Sequence, residues 1–250
     1  MVQVSWSRAD RREFVRPVRA TAYRYGGAAY GTWLLVVAMM LMMLGALAVG
    51  WSNYQALVDD LGLRAAGWSW DNPPAYGQLL SYAFLHGSPE HFFWNTLLLL
   101  LVGCVIEWRM GLRALALLFI VGTVGSGLTH LLIFPLESRA LIGASGGLSA
   151  LFGAACVGAG DLGLRVRLPA TQRWFAITLR WLMLLWIGLQ FISLVDVLAS
   201  GSAAGVAYWG HVSGFVIGAA LALALRLFDA ARRGLAPRGD LAHDYASAGD

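Results

Sequence analysis

The chain has 250 residues, of which 58% are hydrophobic and 13% charged, with a formal net charge of +4. An ordinary soluble domain carries about 25% charge, so this composition excludes one and points to a single polytopic membrane domain, in line with the mean hydropathy of +0.64. All 18 basic residues are arginine, and they flank apolar runs without the interleaved aromatics of a nucleic-acid patch, which argues against nucleic acid as a partner.

In chain order, a basic cytoplasmic tail over residues 1–27 precedes a membrane domain over 28–228, and a polar tail over 229–250 is expected to be cytoplasmic and disordered. The membrane domain reads as six apolar spans, near 28–50, 91–108, 114–134, 142–160, 175–199 and 205–228. A helix needs roughly 20 apolar residues to cross the bilayer core, and helices satisfy their own backbone polar groups in lipid. The fold class expected is therefore an all-α membrane protein, a six-transmembrane-helix bundle.

Sixteen of the 18 arginines fall on one side of that arrangement, leaving Arg64 and Arg139 for the other. The positive-inside rule then places both termini in the cytoplasm. The long first external loop, 51–90, holds Trp51, Trp68, Trp70, Tyr76, Tyr82 and Pro73-Pro74. Tryptophan and tyrosine favour the membrane interface, so this loop is expected to be membrane-associated. Cys104 and Cys156 both lie in apolar runs, which argues against a structural disulfide.

Polar residues inside a membrane are costly, and each is a functional candidate. In span two, His91 and Asn95 lie four apart on one face at the outer end. Without a carboxylate on that face, metal binding is a weak reading of the pair. Glu107 and Arg109, at the inner end, read as a structural pair at the interface. His130 in span three, which forms a polar pair with Ser126, reads as a structural hydrogen bond near the outer end.

Span four opens with Gly143-Ala144-Ser145-Gly146-Gly147, a G-x-S-x-G pattern. Taken alone, Ser145 reads as a packing residue as readily as a nucleophile, and Ser149 keeps the packing reading. In span six, Gly210, Gly214 and Gly218 recur every four residues, the pattern that lets helix backbones approach, and Gly143 and Gly146 of span four are expected as structural glycines at the same contact. His211 shares a face with Gly214 and Gly218 and is expected to point toward glycine-rich span four, with Gly146, Gly147 and Gly153. Ser145, His211 and the His91/Asn95 pair all fall in the outer third of their spans. That common depth favours catalysis. His211 is the expected base for the Ser145 hydroxyl, and the His91 and Asn95 side chains with the Ser145 N–H are the expected oxyanion donors. No acidic residue is well placed to orient His211; Asp196, toward the outer end of span five, is a weak choice. A dyad is expected rather than a triad.

Together, HFFWN, EWRMG, GASGG and GHVSGFVIG, in this order and at these helix positions, resemble the rhomboid family of intramembrane serine proteases. The resemblance covers about residues 78–228. It implies a rhomboid-like six-helix core, a Ser145–His211 dyad and an oxyanion site at His91 and Asn95. It also implies cleavage of transmembrane protein substrates near the outer face, with no metal and no organic cofactor. Besides its substrates, membrane lipid is the expected partner, and no feature sets an oligomeric state. The expected location is a multi-pass position in a bacterial cytoplasmic membrane. The sequence departs from the family at Gly77-Gln78, where many members carry Trp-Arg, and at Gly210, where Ala is frequent. It departs also at Ser149, where an aromatic that packs on the histidine is frequent.

Three other readings compete. A soluble α/β hydrolase needs a strand, a sharp turn and a helix around its serine, and six membrane spans leave no place for them. A transporter would carry charged residues deep in the bundle, and none is evident. The alternative that stands is a catalytically inactive rhomboid-like protein that binds membrane-protein clients; the presence of both Ser145 and His211 argues against it.

Overall fold

A computed structural model describes residues 29–158, 163–167, 174–200 and 208–234. The expected tail over 1–27 and the stretch beyond 234 lie outside these residues. The described chain is nearly all helical. Helix α1 is Tyr30–Val49, α2 Trp51–Leu61, α3 Pro89–Met110, α4 Leu112–Ile133, α5 Ser145–Gly158, α6 Leu179–Ser200 and α7 Tyr208–Gly234. Four of them (α1, α3, α4 and the Tyr208–Phe228 part of α7) are long and apolar enough to cross a membrane, and α5 is a shorter apolar helix. Large side chains such as Leu41, Leu132 and Ile192 stand exposed along these helices, as residues facing lipid tails do.

The helix ends follow local chemistry. Ser88 caps α3 by accepting a hydrogen bond from the His91 N–H at 3.1 Å, with Pro89 as the first helical residue. Gly111, at φ +89°, is the single residue between α3 and α4; only glycine takes that conformation cheaply. Span five was expected from 175, but Gly163–Arg167 and Trp174–Thr178 pair as an antiparallel hairpin, β1 and β2, and α6 starts at Leu179. The alternation Trp174-Phe175-Ala176-Ile177-Thr178 has too many aromatic and β-branched residues to favour helix over strand. At the other end, α7 continues to Gly234, beyond the expected limit at 228.

Helix α5 is the centre of the bundle. Every residue from Gly146 to Cys156 is buried, which is the fate of a helix apolar on all sides. Leu148, Leu151 and Phe152 join Leu99, Ile106 and Phe119 in one core. The glycines of α5 are shared between two neighbours. A Cβ on Gly146 or Gly147 would strike Ser126 or Thr123 of α4, whereas a Cβ on Gly153 would strike the Phe215 carbonyl of α7. Gly147 thus faces α4, not the histidine-bearing helix for which it was expected. From α7, Gly214 lies against the Gly146 carbonyl and Gly218 against the Ala150 backbone. The two backbones therefore meet through the small-residue stripe.

Glu107 departs from the expected pairing with Arg109. Its carboxylate turns inward and accepts from the Gly31 N–H at 2.9 Å, the Thr32 N–H at 2.8 Å and the Thr32 hydroxyl at 2.9 Å. Helix α1 has no side-chain cap of its own, so a carboxylate 75 residues away in sequence satisfies its open N–H groups and meets the positive end of its dipole. His130 also differs from expectation. Its ring nitrogens meet no partner among the described residues, and the ring packs beside Phe134 instead.

The first loop folds back on the bundle. Tyr54 and Val58 of α2 pack with Leu85 and Ala46, and the Tyr54 hydroxyl accepts from the His86 N–H at 2.9 Å. Trp68, Trp70 and Tyr76 form a mutually packed aromatic cluster.

Candidate active site

The path into Ser145 is held from outside its own helix. Ala66 N–H donates to the Glu137 carbonyl at 2.9 Å, Leu63 and Leu141 exchange two backbone hydrogen bonds, and Gly143 N–H donates to the Tyr82 carbonyl at 2.9 Å. The first loop thus sets the extended segment that ends at the serine. Gly143 has φ +115°, in the region that disfavours any side chain. The His91 ring lies where its Cβ would be, 2.6 Å from that position. The helix then begins, with Leu148 N–H donating to the Ala144 carbonyl at 2.9 Å. Ser145 is the first helical residue, and the N–H groups of a first turn have no partner within their helix.

From this position the Ser145 hydroxyl meets His211. The distance from Ser145 Oγ to His211 Nε2 is 2.8 Å, across 66 residues of sequence. His211 sits in the first turn of α7, buried between Ser145 of α5 and the side chains of α6. Its other nitrogen, Nδ1, lies 2.7 Å from Gln190 Oε1 on α6. An amide oxygen only accepts, so this pairing suits the tautomer protonated at Nδ1, in which Nε2 offers its lone pair to the serine hydroxyl. The Trp186 ring, one turn before Gln190, is centred 5.6 Å from the His211 ring and also packs edge-on against Phe152 of α5. Asp196, the weak sequence choice for orienting the histidine, is an exposed residue of α6.

Of the other expected site residues, His91 reaches the segment before the serine through Gly143. Asn95 is buried one turn further along α3, where its Nδ2 donates to the His91 carbonyl at 2.9 Å. An amide nitrogen has two N–H groups, so one remains. Gly146, Gly214 and Gly218 make the close contacts described above, and buried Gly210 accepts from the Ser213 hydroxyl at 3.1 Å. Ser149 donates to the Ser145 carbonyl at 2.5 Å, a bond within its own helix.

Sequence reasoning passed over three residues. Gln190 and Trp186 sit in LLWIGLQFISL; a lone amide in such a run carried the same cost argument that singled out the histidines. The third, His86, lies outside the spans, with its ring centred 5.1 Å from that of His91. Burial, reinforced by the neighbouring His91, pushes its pKa down to about 4, so it is neutral at neutral pH.

A family model, the Rhomboid domain, matches residues 73–228. That is more than half of the chain, and it contains His91, Asn95, Ser145, Gln190 and His211. No curated protein matches the sequence at a significant level. The matched region coincides with the apolar helices that meet around α5, and on that match the chain is an integral membrane protein belonging to the rhomboid family.

Proposed function

We propose that the protein is an intramembrane serine endopeptidase that uses Ser145 as nucleophile and His211 as general base. The observation that carries this reading is the 2.8 Å contact between Ser145 Oγ and a His211 nitrogen whose partner atom is already tied up by an acceptor. In the proposed reaction, Nε2 takes the hydroxyl proton as Oγ attacks the peptide carbonyl. The resulting imidazolium protonates the leaving amine, and water then releases the acyl group by the reverse sequence. The oxyanion is held by the Ser145 N–H at the positive end of α5, with the His91 and Asn95 side chains as further donors.

Depth supports the same reading. Helix α5 has 14 residues and spans about 21 Å at 1.5 Å per residue, against roughly 30 Å of hydrocarbon. With the arginine-bearing hairpin at its far end on the cytoplasmic side, Ser145 lies below the outer face. The substrates are then transmembrane segments of other proteins entering laterally from the lipid, cleaved near that face. The proposed setting is a bacterial cytoplasmic membrane with six spans and both termini inside.

The test is labelling by a fluorophosphonate of the protein in its own membranes. Wild type is expected to label, and Ser145→Ala and His211→Ala are expected not to. A folded wild type that stays unlabelled would favour the inactive, client-binding alternative.

A further inference from the structure

We propose that Gln190 and Trp186 of α6 are positioning residues for His211, which makes the machinery a Ser145–His211–Gln190 array rather than an isolated dyad; this inference rests on the proposed dyad. Three observations converge. The Gln190 oxygen faces Nδ1 at 2.7 Å. The Trp186 ring flanks the imidazole at 5.6 Å. The two residues are four apart, on one face of one helix. Ser149, one turn past the nucleophile, bonds to the Ser145 carbonyl, and the ring that flanks His211 comes from α6.

The chemistry asks for this arrangement. A neutral imidazole has two tautomers, and only the one protonated at Nδ1 accepts the serine proton at Nε2. An acceptor at Nδ1 selects that tautomer, and it keeps its bond when the ring becomes charged, where the bond is stronger. Gln190 does this without a charge, which is the cheaper choice at membrane depth. Trp186 blocks rotation of the ring about its side-chain bonds, and its own contact with Phe152 fixes it to the nucleophile's helix.

The experiment combines two readouts on full-length protein in lipid nanodiscs. The first is fluorophosphonate labelling resolved into its binding constant and its maximal rate, for wild type, Gln190→Met and Gln190→Glu. Methionine keeps the length and loses the acceptor, whereas glutamate keeps an acceptor oxygen in either protonation state. Gln190→Met is expected to lower the maximal rate roughly tenfold to a hundredfold with unchanged probe binding, within the range that positioned acid–base catalysis supplies. Gln190→Glu is expected to stay within a few-fold of wild type. The second readout is the 15N spectrum of histidine-labelled protein, with the His211 signal assigned by its loss in His211→Gln. Wild type is expected to show Nδ1 protonated and Nε2 bare, and Gln190→Met a mixture. A wild-type rate in folded Gln190→Met, or a wild-type His211 protonated at Nε2, overturns the inference, and the second result needs no variant at Gln190. Absent labelling of wild type sinks the dyad itself, while the spectrum still reports whether Gln190 sets the tautomer.

Discussion

At Gly143 an added methyl group meets two obstacles at once. Gly143→Ala forces a side chain into φ +115° and a Cβ to 2.6 Å from the His91 ring. The strain alone costs about 1–3 kcal/mol. The expected outcome is lower thermal stability in detergent together with loss of fluorophosphonate labelling. Asn95→Ala should behave differently, because among the described residues Asn95 Nδ2 bonds within its own helix. It is expected to leave the melting temperature near wild type and to slow cleavage of a reconstituted substrate by about a hundredfold; unchanged turnover would remove Asn95 from the oxyanion site. His86 gives a pH dependence. Its folded pKa, about 4, lies below the ordinary 6.5, so the folded state binds fewer protons than the unfolded state between those values. Its contribution to stability is complete above pH 6.5 and falls away as the pH drops toward 4, by about 3 kcal/mol. His86→Phe is expected to flatten the fall in melting temperature between pH 7 and pH 4.5; an unchanged slope would show that burial of this ring is not its source.

Helix contacts are decided by glycines and by one carboxylate. Gly214→Leu places atoms against the Gly146 carbonyl, where even a Cβ lies at 2.5 Å. Backbone is there to be struck, not a movable side chain, so α5 and α7 must separate. A loss of about 3 kcal/mol or more, seen as early thermal unfolding in detergent, is expected. The stripe Gly210, Gly214, Gly218 was legible in the sequence because a four-residue period is a local property. Its partner face was legible only in part, since Gly147 turned out to face α4: the azimuth of α5 depends on both neighbours at once. Glu107 was not legible at all. Sequence spacing offered Arg109, but the carboxylate satisfies the start of α1 instead. Glu107→Ala is expected to destabilise the protein by about 3 kcal/mol, because it leaves buried donors without an acceptor, and Glu107→Gln by less. Calorimetry of the two variants side by side checks the order.

For the molecule as a whole, the first loop is part of the site's scaffold. It supplies Leu63, Ala66 and Tyr82 to the backbone that delivers Ser145. The same loop lies on the outer side in the proposed topology, with the tail over 229–250 inside. A membrane-impermeant thiol reagent on intact cells is therefore expected to label Asp71→Cys and not Ala236→Cys, in a background where Cys104 and Cys156 are alanine. The reverse pattern would invert the orientation and move the site to the cytoplasmic face.

What the sequence by itself determined are the features written in neighbouring residues: the apolar runs, the arginine asymmetry, the glycine period and the presence of a serine and a histidine in glycine-rich spans. Hydropathy and period are sums over a window, and they survive without knowledge of the fold. Only the tertiary structure decided which polar atoms meet. Gln190 reaches His211 across 21 residues, Ser145 reaches it across 66, and Glu107 reaches Thr32 across 75. Each of these contacts depends on the rotation of two helices about their own axes. That rotation is set by how every small and large side chain around α5 packs, and no local pattern encodes it.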